Sequence, residues 1–284
     1  MPVVSYSEIL ASAERAGYAV GCFDAVDSIT LEAYLDTAQR LRSPVILALS
    51  QAHLRYVDGE ALVRSMLERA KESPVPVSVM MDHCRTAEEG KKAVEWGVNA
   101  VLLDMSDAPY DEHVKTMTAF AAYCHDRGVC VEGELGRHGS RWSKEDGGSF
   151  ASCQKTDPSI VRDYVEKTGV DGLAVYVGNS RSTLDDDARL DYALLDELNR
   201  LSPVPLVLHG SSGIDGDDIV KMVSRGICKV NNYTEIARAA ICALRDVLAI
   251  PTWTEYHALP VVAKRAMVKV VEKKLHLFGC AGKA

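Results

Sequence analysis

No uninterrupted apolar stretch in this 284-residue chain approaches the roughly 20 residues that a membrane span needs, so a membrane is not an expected partner. Basic residues are the minority: 32 Lys and Arg against 40 Asp and Glu give a net charge of -8. Nucleic-acid binding wants a basic face, so nucleic acid is not expected either. Small anionic ligands stay open, because they need only local donors. None of the eight cysteines forms a CxxC pair, and Cys22, Cys84, Cys130, Cys228 and Cys242 lie within apolar segments. That usage reads as reduced, buried thiols of a cytoplasmic protein. The first eight residues show neither the basic nor the apolar region of a secretory leader. Low-complexity segments and linkers are missing too, so residues 1–284 are expected to form one domain.

With 47% hydrophobic and 25% charged residues, the composition is that of a globular α/β chain. Eight strand-like runs are bounded by turn or helix-start residues, at 19–24, 44–50, 75–83, 100–106, 129–136, 172–178, 205–210 and 227–232. Stretches with helical spacing of apolar residues alternate with them, at 29–41, 59–71, 87–96, 110–126, 158–168, 191–199 and 217–224. Eight βα units suggest a closed (β/α)8 TIM barrel; a doubly wound open sheet has the same alternation, but the count of eight favours the barrel. Two further helical segments, 237–249 and 259–278, follow the eighth strand. Extra helices of this kind commonly make subunit contacts, so a homodimer or homotetramer is expected. The connection 135–152, rich in Gly, Ser and charge, exceeds the usual βα-loop length and is expected to be an active-site loop.

In a barrel the active site lies at the C-terminal strand ends. Read in order, those ends present Asp24, Ser50, Asp82 with His83, Asp104 with Ser106, Glu132 with Glu134, Asn179 with Arg181, His209, and Asn231 with Thr234. Singly, Asp24, Ser50 or Asp104 could cap the following helix. Together they form a polar collection that a barrel core does not require. His83, Glu134 and His209 come from separate strands, and imidazole plus carboxylate suits Zn²⁺ or a similar cation. Asp82 should face the opposite side of its strand from His83 unless the strand end bends, leaving it free to handle a proton. The run Gly210-Ser211-Ser212-Gly213, leading into the helix from Asp217, has the glycines and backbone donors of a phosphate cradle, with Asn231 and Thr234 beside it.

These residues, with the runs 19–23, 42–47, 131–136, 169–175 and 228–231, make the chain resemble the class II (zinc-dependent) ketose-bisphosphate aldolases, nearer the tagatose/fructose-bisphosphate branch. The resemblance covers almost the whole chain. It implies a TIM barrel, one Zn²⁺ per chain, and reversible C–C cleavage of a phosphorylated ketose by a lyase of carbohydrate metabolism. Asp82 matches the family's proton-transfer carboxylate. His83 and His209 match two metal ligands, and Glu134 a carboxylate near or on the metal. Gly210, Ser211 and Ser212, with Asn231, Asn232, Tyr233 and Thr234, match the loops that hold the phosphorylated half of the substrate.

The pattern breaks after the sixth strand. Where the family has Gly-Thr-Ala-His-Gly, this chain reads Gly178-Asn179-Ser180-Arg181-Ser182. Arg181 therefore stands where a third imidazole ligand is expected, and a permanently charged guanidinium cannot ligate a cation. Asp186 replaces an expected phosphate-binding lysine, Asp24 and Asp27 replace asparagines, Asp107 replaces a histidine, and Tyr233 replaces a smaller or acidic residue. One reading keeps the metal on His83, His209 and Glu134, helped by Cys84 or water, and gives Gly178, Arg181 and Ser182 an anionic part of an altered substrate. In a second, Arg181 itself supplies the positive charge. In a third, the chain is an inactive paralogue that binds a sugar phosphate. The retained Asp82, histidines, Glu134 and cradle favour catalysis, on a substrate other than plain fructose 1,6-bisphosphate.

Overall fold

Short runs of Val, Leu, Ile, Met and Ala, buried on both faces, read as strands of a parallel sheet covered by helices. In the computed structural model, which describes residues 3–136, 154–179 and 190–284, these runs close into one barrel. In chain order its strands are β1 (Val20–Asp24), β2 (Val45–Ser50), β3 (Val77–Cys84), β4 (Ala100–Leu103), β5 (Cys130–Leu135), β6 (Gly172–Val175), β7 (Leu206–Leu208) and β8 (Ile227–Asn231). Each pairs in parallel with the next, and β8 returns to β1. The (β/α)8 barrel expected from the count of eight is therefore the fold. The strands are shorter than the sequence runs where polar residues peel away, as at residues 104–106 and 176–178.

The intervening helices are α2 (Ser28–Arg40), α3 (Gly59–Glu72), α4 (Ala87–Trp96), α5 (Tyr110–His125), α6 (Pro158–Thr168), α7 (Tyr192–Leu201) and α8 (Gly216–Val223). Their starts follow capping chemistry: the side chains of Asp27, Asp58, Thr86, Asp157, Asp191 and Asp215 each accept a backbone N–H of the first turn. The last two helices, α9 (Thr234–Leu248) and α10 (Leu259–Leu277), pack on each other and α10 on α2. Arg40 and Glu272 form a two-pronged ion pair at 3.1 and 3.0 Å across the α2–α10 contact.

One helix was not expected. α1 (Tyr6–Ala16) precedes the first βα unit and opens with a Ser5/Glu8 capping box. Its approach segment pairs with the start of β3, Val4 N donating to Val77 O at 3.0 Å, and the helix packs against β8, β3 and β1. It thus closes the barrel at the N-terminal strand ends, opposite the expected site. From there the Tyr6 side chain enters the interior. Gly172 makes room for it, since a Cβ at that position would stand 2.7 Å from the Tyr6 hydroxyl.

Candidate active site

β3 delivers the central pair. Ser50 is the register partner of Asp82, but the β3–β4 pairing shifts between Met81 and Cys84, and His83 has a left-handed backbone with φ of +53°. An L-residue adopts that conformation at a cost of about 1–3 kcal/mol, and such outliers cluster at functional sites. Here the consequence is visible. Instead of facing opposite ways, Asp82 and His83 share the mouth of the barrel, with Asp82 Oδ2 3.7 Å from His83 Nε2. The expected alternation fails because the strand end bends.

His209, at the end of β7, meets His83 edge-on with ring centroids 4.9 Å apart and Nδ1 3.1 Å from His83 Nε2. His83 Nδ1 lies 3.3 Å from Asp104 Oδ2 and 3.8 Å from Glu134 Oε2. Two groups result whose possible ligand atoms lie within 4.8 Å of one another: Asp82, His83 and His209, and His83, Asp104 and Glu134. They share His83 and are its two sides. Glu134 thus joins His83 through the second group with Asp104, rather than with His209. Each histidine turns its other nitrogen to a carboxylate, Asp104 for His83 and Glu132 for His209. The nitrogens left facing each other are then both lone-pair donors, an arrangement that a divalent cation between them relieves. The donor set therefore fits a metal such as Zn²⁺.

Asp104, open to a capping role in sequence, does not cap: the helix after it starts at Tyr110, with Pro109 in the N-cap position. It accepts from Ser106 Oγ at 2.7 Å and Ser106 N at 3.1 Å. Burial opposes its ionisation, but hydrogen bonding and charge from His83 and the Ser106 donors hold the carboxyl well below its ordinary range. Asp82 is buried and accepts from Asn231 Nδ2 at 3.3 Å. Burial pushes its pKa up, but the positive influence of His83, His209 and Lys229 outweighs this, and the net shift is downward. Burial holds His209 well below the usual imidazole value, with His83 and Lys229 acting in the same direction. Cys84 belongs to neither group, and burial pushes its thiol up.

The cradle residues assemble around β7 and β8. Gly210 and Gly213 take positive φ of 64° and 96°, which bends the loop. Ser211 Oγ donates to Asn231 O at 2.6 Å and accepts from Asn232 Nδ2 at 3.1 Å, while Ser212 Oγ accepts from Glu235 N at 3.4 Å. Gly178 has φ of 97°, and Asn179 Nδ2 donates to His209 O at 2.8 Å, fixing the β6 end to the β7 end. The helix start differs from expectation. The α8 N-terminus is already capped by Asp215 and carries Asp217 and Asp218 in its first turn, a charge that repels an anion. The start of α9 has no cap from its own N-cap residue, Tyr233, though Ser212 accepts one first-turn N–H; it carries Glu235, which pairs with Lys274, and lies directly after Asn231 and Asn232. Arg181, Ser182 and Asp186 lie outside the described residues, as does the expected loop beyond Gly136.

Sequence reasoning missed Tyr6 and Lys229 beneath the histidines and, though it named Glu132 at the strand ends, gave it no role. Glu132 Oε1 lies 2.7 Å from His209 Nε2, and Lys229 Nζ donates to Glu132 Oε2 at 2.8 Å and to Asn231 Oδ1 at 2.7 Å. The Tyr6 hydroxyl donates to the same Glu132 oxygen. The lysine in the middle of the apolar eighth strand was the available signal, because charged residues are almost never fully buried unless paired.

Residues 4–283 match the family model described as "Fructose-bisphosphate aldolase class-II". A fructose-bisphosphate aldolase of Staphylococcus epidermidis is 35% identical over 251 residues, covering 87% of each chain. Among solved structures, the YdjI aldolase of Escherichia coli K12 superposes with a TM-score of 0.88 at 28% identity, covering 99% of both chains. A fructose-bisphosphate aldolase of Campylobacter jejuni, at 19% identity and a TM-score of 0.82 over 99% of this chain and 97% of that one, shares the fold.

Proposed function

Because the chain belongs to the class-II fructose-bisphosphate aldolase family, and is therefore a lyase, we propose that it cleaves a C–C bond of a phosphorylated ketose or related sugar-acid phosphate. The reading includes a divalent metal, Zn²⁺ in the first instance, held by His83 and His209 with Glu134 and Asp104 on the far side of His83. The observation that carries it is the 3.1 Å approach of the two imidazoles beside the buried Asp82. When bound, the cation polarises the ketose carbonyl and stabilises the negative charge left after cleavage.

The chain's own residues do the rest. Asp82, ionised and buried, accepts the proton of the hydroxyl on the carbon that becomes the aldehyde, and returns it in the condensation direction. Asn231 orients that carboxylate through its 3.3 Å hydrogen bond. Gly210, Ser211, Ser212, Asn231, Asn232, Tyr233 and Thr234 line the side where the phosphate is held, by the loop bends and by the first-turn N–H groups of α9 that Ser212 leaves open. Gly178 bends the end of β6, and to Arg181 and Ser182, which follow it in sequence, we assign an anionic group of the substrate. Arg181 and Asp186, in place of a histidine and a lysine, support a substrate other than fructose 1,6-bisphosphate.

Five large hydrophobic residues exposed on α9, α10 and their connection, Ile241, Leu248, Ile250, Tyr256 and Val261, support a homo-oligomer formed through this face. The free thiols of the described cysteines support a cytoplasmic, single-domain enzyme, and no described helix is long and apolar enough to cross a membrane.

Asp82→Ala tests the chemistry against a panel of ketose mono- and bisphosphates with added Zn²⁺. The expected result is loss of aldehyde release with sugar-phosphate binding retained. Undiminished turnover would remove Asp82 from its role, and no cleavage of any panel member by the parent chain would favour an inactive sugar-phosphate-binding paralogue.

A further inference from the structure

Tyr6, Glu132, His209 and Lys229 are each fully enclosed. Their contacts run through the barrel from its closed end to its mouth: Tyr6 from α1, Glu132 and Lys229 midway along β5 and β8, then His209. Sequestering an ion pair costs several kcal/mol per ion before pairing offsets it, and barrel interiors are ordinarily filled by bulky apolar side chains. Packing alone would not select this group.

We propose that Glu132 is a positioning residue for the metal: held by Lys229 and Tyr6, it keeps the proton of His209 on Nε2 and so presents the Nδ1 lone pair to His83 and the cation. This rests on reading His83 and His209 as metal ligands. The reasoning is one of donors and acceptors. A carboxylate paired with an ammonium offers only acceptors, so across the 2.7 Å contact between Nε2 and Glu132 Oε1 the ring nitrogen is the donor. A neutral imidazole carries a single N–H, which leaves Nδ1 as the acceptor. Nδ1 is the atom that stands 3.1 Å from His83 Nε2.

The same ammonium serves both halves of the site. Lys229 donates to Glu132 at 2.8 Å and to Asn231 Oδ1 at 2.7 Å, and Asn231 in turn donates to Asp82. Asn231 therefore has its amide orientation fixed, oxygen toward Lys229 and nitrogen toward Asp82. Tyr6 adds a dependence with no counterpart at the mouth. A helix at the opposite end of the barrel contributes, through the Tyr6 hydroxyl, to how firmly the metal is held.

The test compares the full-length parent chain, Tyr6→Phe, and Glu132→Gln combined with Lys229→Met. The double variant removes both charges, because Glu132→Gln alone would strand a buried ammonium. Zn²⁺ affinity is measured by competition with a chromophoric chelator, Co²⁺ absorption reports the ligand field, and nitrogen-15 NMR of the metal-free proteins reports which ring nitrogen of His209 is protonated. The parent should show His209 protonated on Nε2. The double variant should lose about 10- to 100-fold in Zn²⁺ affinity, with a shifted Co²⁺ band and both His209 tautomers populated. Tyr6→Phe, which keeps the ring packed, should lose about two- to tenfold and decides the matter if the double variant does not fold. His209 protonated on Nδ1 in the parent, or unchanged Zn²⁺ affinity in folded variants, overturns the proposal alone. A parent chain that takes up no Zn²⁺ overturns the metal reading and the proposal with it.

Discussion

Gly172→Ala perturbs the interior of the barrel without altering a group at its mouth. Gly172 opens β6 with no positive φ, so the backbone tolerates alanine and any penalty comes from space. The new Cβ would lie 2.7 Å from the Tyr6 hydroxyl and 3.0 Å from Tyr6 Cε1, inside ordinary contact distance. Tyr6 cannot swing aside, being fully enclosed and hydrogen-bonded at its tip to Glu132. Overpacking of this kind destabilises by about 1–3 kcal/mol. Tyr6→Phe separately removes one donor from a buried carboxylate, a loss of about 1–3 kcal/mol. Combined, the two changes should not add, because the phenylalanine lacks the atom that the new methyl strikes. The double variant should be less destabilised than the sum of the singles by about 1–2 kcal/mol, a coupling typical of residues in contact. Urea unfolding of the metal-free proteins, analysed by linear extrapolation, supplies the three free-energy differences. Additivity within about 0.5 kcal/mol would show that the glycine is not there to accommodate the tyrosine hydroxyl.

Acid stability gives a second prediction. The Asp104 carboxyl is held below its ordinary range in the folded chain, so its contribution is present above the unfolded value of about 3.9 and is lost as pH falls below it. Asp104→Asn should therefore flatten the decline of stability below about pH 4, followed by urea midpoints across pH; an unchanged slope would contradict the assignment. A third prediction concerns α9: Ile241→Glu with Leu248→Glu should reduce the mass in sedimentation equilibrium to that of a single chain, and an unaltered assembly would exclude this face as the interface.

The residues at the mouth were legible because they interrupt apolar strands. Asp82, His83, Glu134 and His209 are polar at positions where a packed barrel needs nothing polar, while the strand count came from eight apolar runs bounded by turn or helix-start residues. What could not be read was orientation. The sharing of one mouth by Asp82 and His83 depends on a single left-handed backbone at His83, and no residue pattern announces that a histidine adopts it. Pairing across the barrel was hidden for another reason. Glu132 and Lys229 are 97 residues apart, and only closure of β8 onto β1 brings their strands to face one another. α1 had a visible capping signal in Ser5 and Glu8, yet it falls outside the alternation that organised the rest. The helix beside the cradle, expected from Asp217, begins at Gly216 because the Asp215 side chain caps it.

The side chain that α1 sends into the barrel also bears on the order in which the molecule can be completed. Tyr6 leaves the ribosome 126 residues ahead of its partner Glu132. At synthesis rates of roughly 5–20 residues per second that is a delay of about 6 to 25 s. Throughout it, the apolar face of α1, with Ile9, Leu10 and Ala13 buried in the finished fold, has no barrel to cover. α1 is therefore made well before the strand that carries the partner of its tyrosine, a long-range contact of the kind that slows folding and exposes intermediates to aggregation.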